Sequence, residues 1–283
     1  MKKSNLLLIL LGILLVVTIY LVKAKFQNQN PGIVSLRLAW LHGSGFEGFY
    51  VAKDKGFYSY QGLDVTLYPG GPDQNPVRSV AAGSDTFGQG GLVEVLQARD
   101  KGVPIKAIAA IFRTNPVVYF SLSGSGIQNP KDFAGKKIGV KYGLDTEIIY
   151  RALLKKNNVN IQNITEVPVK FDMTPLFRRD VDVWPGYINF EPVIARMQGY
   201  NVEVIRSEDY GIPMYGQVIF AREDYIQEHP EEVRKFLNAT IDGWQYAVDH
   251  DADAALLANK YSPETDLKLA ENIFVEVEKL VLG

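Results

Sequence analysis

Ser35-Leu36-Arg37-Leu38-Ala39-Trp40 and, further on, Leu63-Asp64-Val65-Thr66-Leu67-Tyr68 are the stretches whose reading decides the fold. In each, apolar and polar residues alternate with the period of a strand half-buried in a sheet. Between them, Glu47–Lys55 reads as a helix stopped at Gly56. The alternation continues with a short helix near 75–82, a strand around Thr86–Gln89, a helix over Leu92–Asp100 and an apolar strand over Ile105–Phe112. Such an order predicts a mostly parallel sheet covered on both faces.

A second alternating set follows. Val117–Leu122 and Lys137–Val140 read as strands, and Leu144–Lys155 reads as a helix. Val181–Trp184 and Val202–Ile205 are expected strands around a helix near Pro192–Gln198. Gln217–Phe220 is one more strand, and the chain beyond it is helical. After Pro230, apolar residues at 233, 236, 237, 241, 244 and 248 mark one helix face, with Glu231 and Glu232 at the positive end of the dipole. Ser262-Pro263-Glu264 reads as the start of a last helix running to about Leu280. Two alternating sets predict an α/β protein of two lobes, each a mixed, mostly parallel sheet flanked by helices. Its ligand would lie in the cleft, beyond the carboxyl ends of the strands.

The 283 residues are 47% hydrophobic and 22% charged, and 30 basic against 32 acidic residues give a formal charge of −2. These values exclude disorder as the main theme and leave no basic footprint for nucleic acid. The chain has no cysteine, which excludes disulfides, thiolate metal sites and a cysteine nucleophile. Met1-Lys2-Lys3 precedes an uncharged run of 17 residues, Leu6–Val22. That is long for a signal-peptide core and short for a span of ~20 residues. Residues 1–32 are therefore expected to be a signal peptide or a membrane anchor plus a polar linker, and the remainder is expected to be exported.

The strand ends carry the candidate ligand residues: Trp40, His42 and Phe46 after the first strand, Gln89 and Gly90 in a glycine-rich turn, Tyr142 and Asp145 before a helix, and Trp184, Tyr187, Asn189 and Glu191 in the richest stretch. Aromatic faces stack on planar heterocycles, and a carboxylate accepts N–H bonds from an amino-heterocycle. Plainer roles stay open at this point: Trp40 and Trp184 as core, Asp145 as a helix cap, Glu191 as a partner of the helix dipole. The three histidines stand at 42, 229 and 250, with no nucleophile elbow, metalloprotease motif or paired-carboxylate signature around them. No catalytic residue, metal or cofactor is expected.

Gly48-Phe49-Tyr50-Val51-Ala52-Lys53-Asp54-Lys55-Gly56-Phe57-Tyr58 and Gln61-Gly62-Leu63-Asp64-Val65 resemble the opening block of periplasmic-binding-protein-like proteins. The subgroup is the one that binds thiamine-pyrimidine precursors, sulfonates, taurine and nitrate for ABC importers. Gly124-Ser125-Gly126-Ile127 and Asp132–Val140 resemble its second-lobe opening. Trp184–Glu191 and Asp209-Tyr210-Gly211 look closest to the pyrimidine-precursor branch. The resemblance implies a type II binding-protein fold, with one lobe made of 33–118 and 215–283 and a second of 119–214. Crossings would fall near Val117–Tyr119 and Tyr215–Gln217. In that fold the chain end usually packs on the first lobe, and a further terminal helix would be expected after Leu280.

The function so implied is an exported solute-binding protein of an ABC importer, monomeric, in the periplasm or on the outer face of the cytoplasmic membrane. It would close around a pyrimidine-like small molecule and dock on a permease. One alternative is a sulfonate- or taurine-binding protein, for which Arg78 and Arg113 are the candidate anion partners. Another is a ligand-sensing domain or an enzyme resembling thiamine pyrimidine synthase. The synthase uses a lysine that would fall near Ser84 and a cysteine-rich motif, and this chain has neither.

Overall fold

The computed structural model describes residues 32–283. The leader or anchor expected over residues 6–22 lies outside them. No helix among the described residues is long and apolar enough to cross a membrane.

β1 (Gly32–Arg37), β2 (Leu63–Tyr68), β3 (Phe87–Gly91), β4 (Ile105–Ala110) and β10 (Gln217–Arg222) form a five-stranded sheet of order β2-β1-β3-β10-β4. β1 runs parallel to β2 and β3, and β10 lies antiparallel between β3 and β4. The period-two pattern holds: Val34, Leu36, Leu63, Val65 and Leu67 are buried, with more accessible residues between them. The helices α1 (Glu47–Asp54), α2 (Phe57–Tyr60), α3 (Pro76–Ala81), α4 (Leu92–Asp100), α8 (Glu223–Glu228) and α9 (Pro230–Asp249) belong to this part of the chain. Together they form the large-sheet body.

α9 crosses α1 very closely. A methyl group on Gly48 would stand 2.2 Å from the Trp244 ring, and one on Gly243 would stand 2.2 Å from the Gly48 carbonyl. Both positions need glycine, because interiors are packed too tightly to yield that space. On the inner face of α9, Phe236 stacks between Phe87 and Tyr58 at 4.0 and 5.4 Å. Ile241, expected on that face, is 61% exposed instead. Thr240 takes the inward position and bonds the Tyr58 hydroxyl at 3.0 Å.

The middle segment, residues 117–206, carries β5 (Val117–Leu122), β6 (Lys137–Val140), β7 (Thr165–Pro168), β8 (Trp184–Tyr187) and β9 (Val202–Arg206). Its helices are α5 (Asp145–Lys156), α6 (Thr174–Phe177) and α7 (Glu191–Met197). The expectation of a mostly parallel second sheet is corrected here. β8-β5-β9 is antiparallel throughout, and only the separate β6-β7 pair is parallel. An apolar run such as β5 reads as a parallel strand because both faces are covered, yet its partners run the opposite way. β8 also starts later than expected. Pro185, which read as a strand stop, sits inside β8, and β8 is an edge strand, where a missing N–H is tolerated.

The chain passes between the two parts at 111–116 and 207–216, and these segments lie side by side. Gly216 N–H donates to the Phe112 carbonyl at 2.9 Å, and Asn115 Nδ2 donates to the Tyr215 carbonyl at 3.4 Å. After α9 come α10 (Asp251–Tyr261) and α11 (Leu267–Leu282). Ser262 does not cap the last helix as expected. Its hydroxyl turns to Glu264 and Thr265, and Asp266 caps α11 by accepting from the Leu269 N–H at 3.1 Å.

Candidate functional site

The ends of β1, β6, β7 and β8 converge where the middle segment meets the large-sheet body. Trp40, just after β1, and Phe171, just after β7, face each other across this junction with ring centroids 5.4 Å apart. Both rings are about half exposed. Lys141 follows β6. Its ammonium lies 5.4 Å from the Phe171 ring centre and 5.8 Å from that of Trp184.

Lys141 Nζ donates to Glu191 Oε1 at 2.6 Å, and both side chains are buried. Glu191 Oε2 accepts the Tyr187 N–H at 2.8 Å. The carboxylate can fold back because Gly186 has no side chain: a methyl group there would stand 2.9 Å from Glu191 Oε2. Tyr187 in turn donates its hydroxyl to Asp145 Oδ1 at 2.8 Å. Asp145 does not cap α5. The residue before the helix is Leu144, with no side-chain cap, and Asp145 Oδ1 takes the Thr146 N–H instead. Lys141, Glu191, Tyr187 and Asp145 thus form one continuous buried polar network, which strengthens each member in a region of low dielectric.

The electrostatics are dominated by carboxylates. Burial raises Asp145, opposed by the Tyr187 hydroxyl, the Thr146 N–H and the charge of Lys141. Glu94, in the first turn of α4, is pushed up to about 7 by burial and then by the charge of Asp145. The Tyr187 hydroxyl is raised well above its usual range by burial and by Asp145. One ammonium group therefore stands against Glu191 and Asp145, with Glu94 close enough to Asp145 to feel its charge, an environment suited to N–H donors and poorly suited to anions. Three buried polar atoms among the described residues lack a partner here: Asn189 Oδ1, Trp184 Nε1 and Thr146 Oγ1. Asn189 stands opposite Gly45 of the large-sheet body, its Nδ2 3.9 Å from where a Gly45 side chain would begin.

Not every residue expected at the site is found there. His42 and Phe46 pack on Tyr50, and His42 also touches Tyr261, within the large-sheet body. Partial burial lowers the His42 imidazole. Gln89 is fully committed to the fold, accepting the Ala39 N–H at 2.8 Å and donating to Gln217 at 3.0 Å. Gly90 is a paired residue of β3 rather than part of an open turn, and the Leu92 N–H is taken by the Gly216 carbonyl. Tyr142 points outward to Glu166 at 3.0 Å. Trp184 is fully buried, beneath Lys141 rather than lining an open wall. Sequence reasoning missed Lys141, Phe171 and Glu94. Lys141 directly follows an apolar strand, but nothing in the sequence marks its pairing with Glu191. Phe171 was not discoverable, because β7 itself escaped notice.

The model of the family described as NMT1/THI5 like matches residues 44–254, well over half of the chain. The chain belongs to that family. Among relatives of this NMT1/THI5-like chain, the riboflavin-binding protein RibY of Chloroflexus aurantiacus is 28% identical over 89% of this chain and 74% of its own length. The formylaminopyrimidine-binding protein of Halalkalibacterium halodurans is 23% identical over 100% of this chain and 86% of its own. A 4-amino-5-hydroxymethyl-2-methylpyrimidine phosphate synthase of Legionella pneumophila is 25% identical over 85% and 77%. Among solved structures, the periplasmic aliphatic sulphonate binding protein SsuA from Escherichia coli superposes with a TM-score of 0.71 at 15% identity, covering 87% of this chain and 79% of that one. That likeness shows the fold alone: this NMT1/THI5-like chain has the mixed α/β fold of periplasmic binding proteins.

Proposed function

We propose that this protein is the exported solute-binding component of an ABC importer and captures a small planar nitrogen heterocycle between two lobes. The lobes would be 33–118 with 215–283, and 119–214. The observation that carries the reading is the facing of Trp40 and Phe171, one from each part of the chain, directly above the buried Lys141–Glu191 pair. The two rings touch, with centroids 5.4 Å apart, so they would part to admit a flat ring between them, and closure of the lobes would bury it. A ligand that touches both lobes shifts the open–closed equilibrium by its differential affinity. Asn189 Oδ1 and Asp145 Oδ2 are free to accept its N–H groups, while Lys141 holds Glu191 in place. The names of two relatives, riboflavin-binding and formylaminopyrimidine-binding, agree with this ligand class.

The test is calorimetric titration with riboflavin, a formylaminopyrimidine and taurine. Binding of one of the heterocycles and none of taurine supports the reading. The sulfonate alternative finds no unpaired cation here among the described residues, because Lys141 is already neutralised by Glu191. Arg113 is occupied by the Leu282 carbonyl at 2.7 Å, and Arg78 lies exposed on α3. The synthase alternative rests on a relative's name. The residues do not fit a pyridoxal-phosphate lysine: Ser84 stands at the far end of β3 beside Gly83, Asp85, Thr86, Arg222 and Tyr225.

A further inference from the structure

α11 touches α10, α7 of the middle segment, the loop after β1 and the 111–116 crossing. Its buried face, Ala270, Ile273, Phe274, Val277 and Leu280, packs along α10 on one side and against α7 of the middle segment on the other. Val193 and Ala195 of α7 are buried in the same apolar cluster as Ile273, Phe274 and Val277. Near its start, the Ala270 carbonyl is 3.5 Å from Ser44 Oγ, in the loop after β1. At its end, the Leu280 carbonyl accepts the Arg113 N–H and the Leu282 carbonyl accepts Arg113 Nη1, both at 2.7 Å. Arg113 lies in the 111–116 crossing between the two parts of the chain.

We propose that α11 is a strap across the crossing, and that its apolar seam with α7 holds the two lobes together before any ligand arrives. The physical reason is area. α7 begins at Glu191, so opening the cleft by moving α7 outward would expose apolar surface of Val193, Ile273, Phe274 and Val277 to water, which is unfavourable in proportion to the area exposed. A binding protein without such a seam can rest open and be closed by its ligand. With the seam, the resting state is closed, and ligand enters through a minor open population. Arg113 is a positioning residue in this account: it ties the end of the strap to the chain segment about which the lobes turn. The inference rests on the two-lobe reading above, but not on the identity of the ligand.

The absence of cysteine makes the test direct. Met197 at the end of α7 and Val275 on α11 are 43% and 46% exposed, so Met197→Cys and Val275→Cys give two labelling sites that leave the seam intact. Spin-label distances are measured in the full chain without ligand and again with riboflavin. The strap predicts one narrow population at the separation of the structure before ligand, unchanged afterwards. Arg113→Ala, at an exposed position, and Val193→Ser should each add a longer population. A ligand-free distribution that is broad or long and contracts with riboflavin would overturn the strap. So would a separation untouched by both variants. The ligand-free measurement stands even if riboflavin does not bind, so failure of the solute reading and failure of the strap are separate results.

Discussion

Lys141 Nζ and Glu191 Oε1 meet at 2.6 Å with both side chains buried, joining the end of β6 to the start of α7. Removing one partner of a buried ion pair strands the other charge, which costs about 3–5 kcal/mol. Lys141→Met should therefore destabilise the protein by that order. The double variant with Glu191→Gln should recover a large part of the loss. Urea unfolding of the wild type, both single variants and the double variant measures the coupling. Strictly additive losses would show that the pair is not a unit.

Trp40→Ala should weaken the binding of a flat heterocycle by at least tenfold, about 1.4 kcal/mol, while leaving the melting temperature near that of the wild type, because the ring is 42% exposed. Trp184→Ala should behave in the opposite way. Trp184 is fully buried, and truncating such a side chain costs about 3–5 kcal/mol. Thermal melts and titrations on the two variants separate wall from core. Equal losses of stability in both would refute the assignment.

Glu94 sets a pH dependence whose sign follows from its environment. Burial, then the charge of Asp145, raise it from 4.5 to about 7, so the folded state holds this proton more tightly than the unfolded state. Its contribution to stability is complete below about 4.5 and is lost as the pH climbs through about 7. Glu47, raised to about 7 by burial against the pull of the Gly45 N–H, acts in the same direction. Between pH 5 and pH 8.5 these carboxyls pull the melting temperature down while His42, whose imidazole is lowered by burial, pulls it up, so the melting temperature of Glu94→Gln should fall less, or rise more, than that of the wild type. An unchanged pH profile in the variant would contradict the placement of Glu94.

Gly243→Ala tests the crossing of α1 and α9. A helix interior ordinarily gains from alanine, but here the methyl group would meet the Gly48 carbonyl at 2.2 Å. The expected result is a loss of about 1–3 kcal/mol, read by chemical denaturation. A gain would mean that the helices can part without cost.

Much of the fold was legible in the sequence. β1 and β2 are readable because each turns one face to a single core, and alternation reports that directly, whereas α1, buried on all sides over Glu47–Ala52, is marked by its stop at Gly56. The direction of β5 and β8 is not readable, since a strand covered on both faces carries no mark of which way its partners run. β7, with half-exposed residues and Pro168 at its end, left too weak a pattern to register. Glu191, Asp145, Tyr187 and Asn189 stand out in the sequence because they follow strands, the geometric rule for α/β ligand clefts, and the structure links the first three by hydrogen bonds. Gln89 stands out by the same rule, but its amide is bonded to Ala39 and Gln217, since a polar residue at a strand end can serve the sheet as readily as a ligand. Lys141 was passed over because its importance lies in Glu191, fifty residues away, and sequence order conceals that pairing.

The most direct test of the central claim is to titrate the purified protein with riboflavin and with a formylaminopyrimidine in a calorimeter, then recover the bound molecule and weigh it by mass spectrometry. Capture between Trp40 and Phe171 predicts one site per chain, saturable binding of at least one of these heterocycles, and a recovered molecule of unaltered mass. No heat from either compound, or a recovered molecule whose mass has changed, would contradict it.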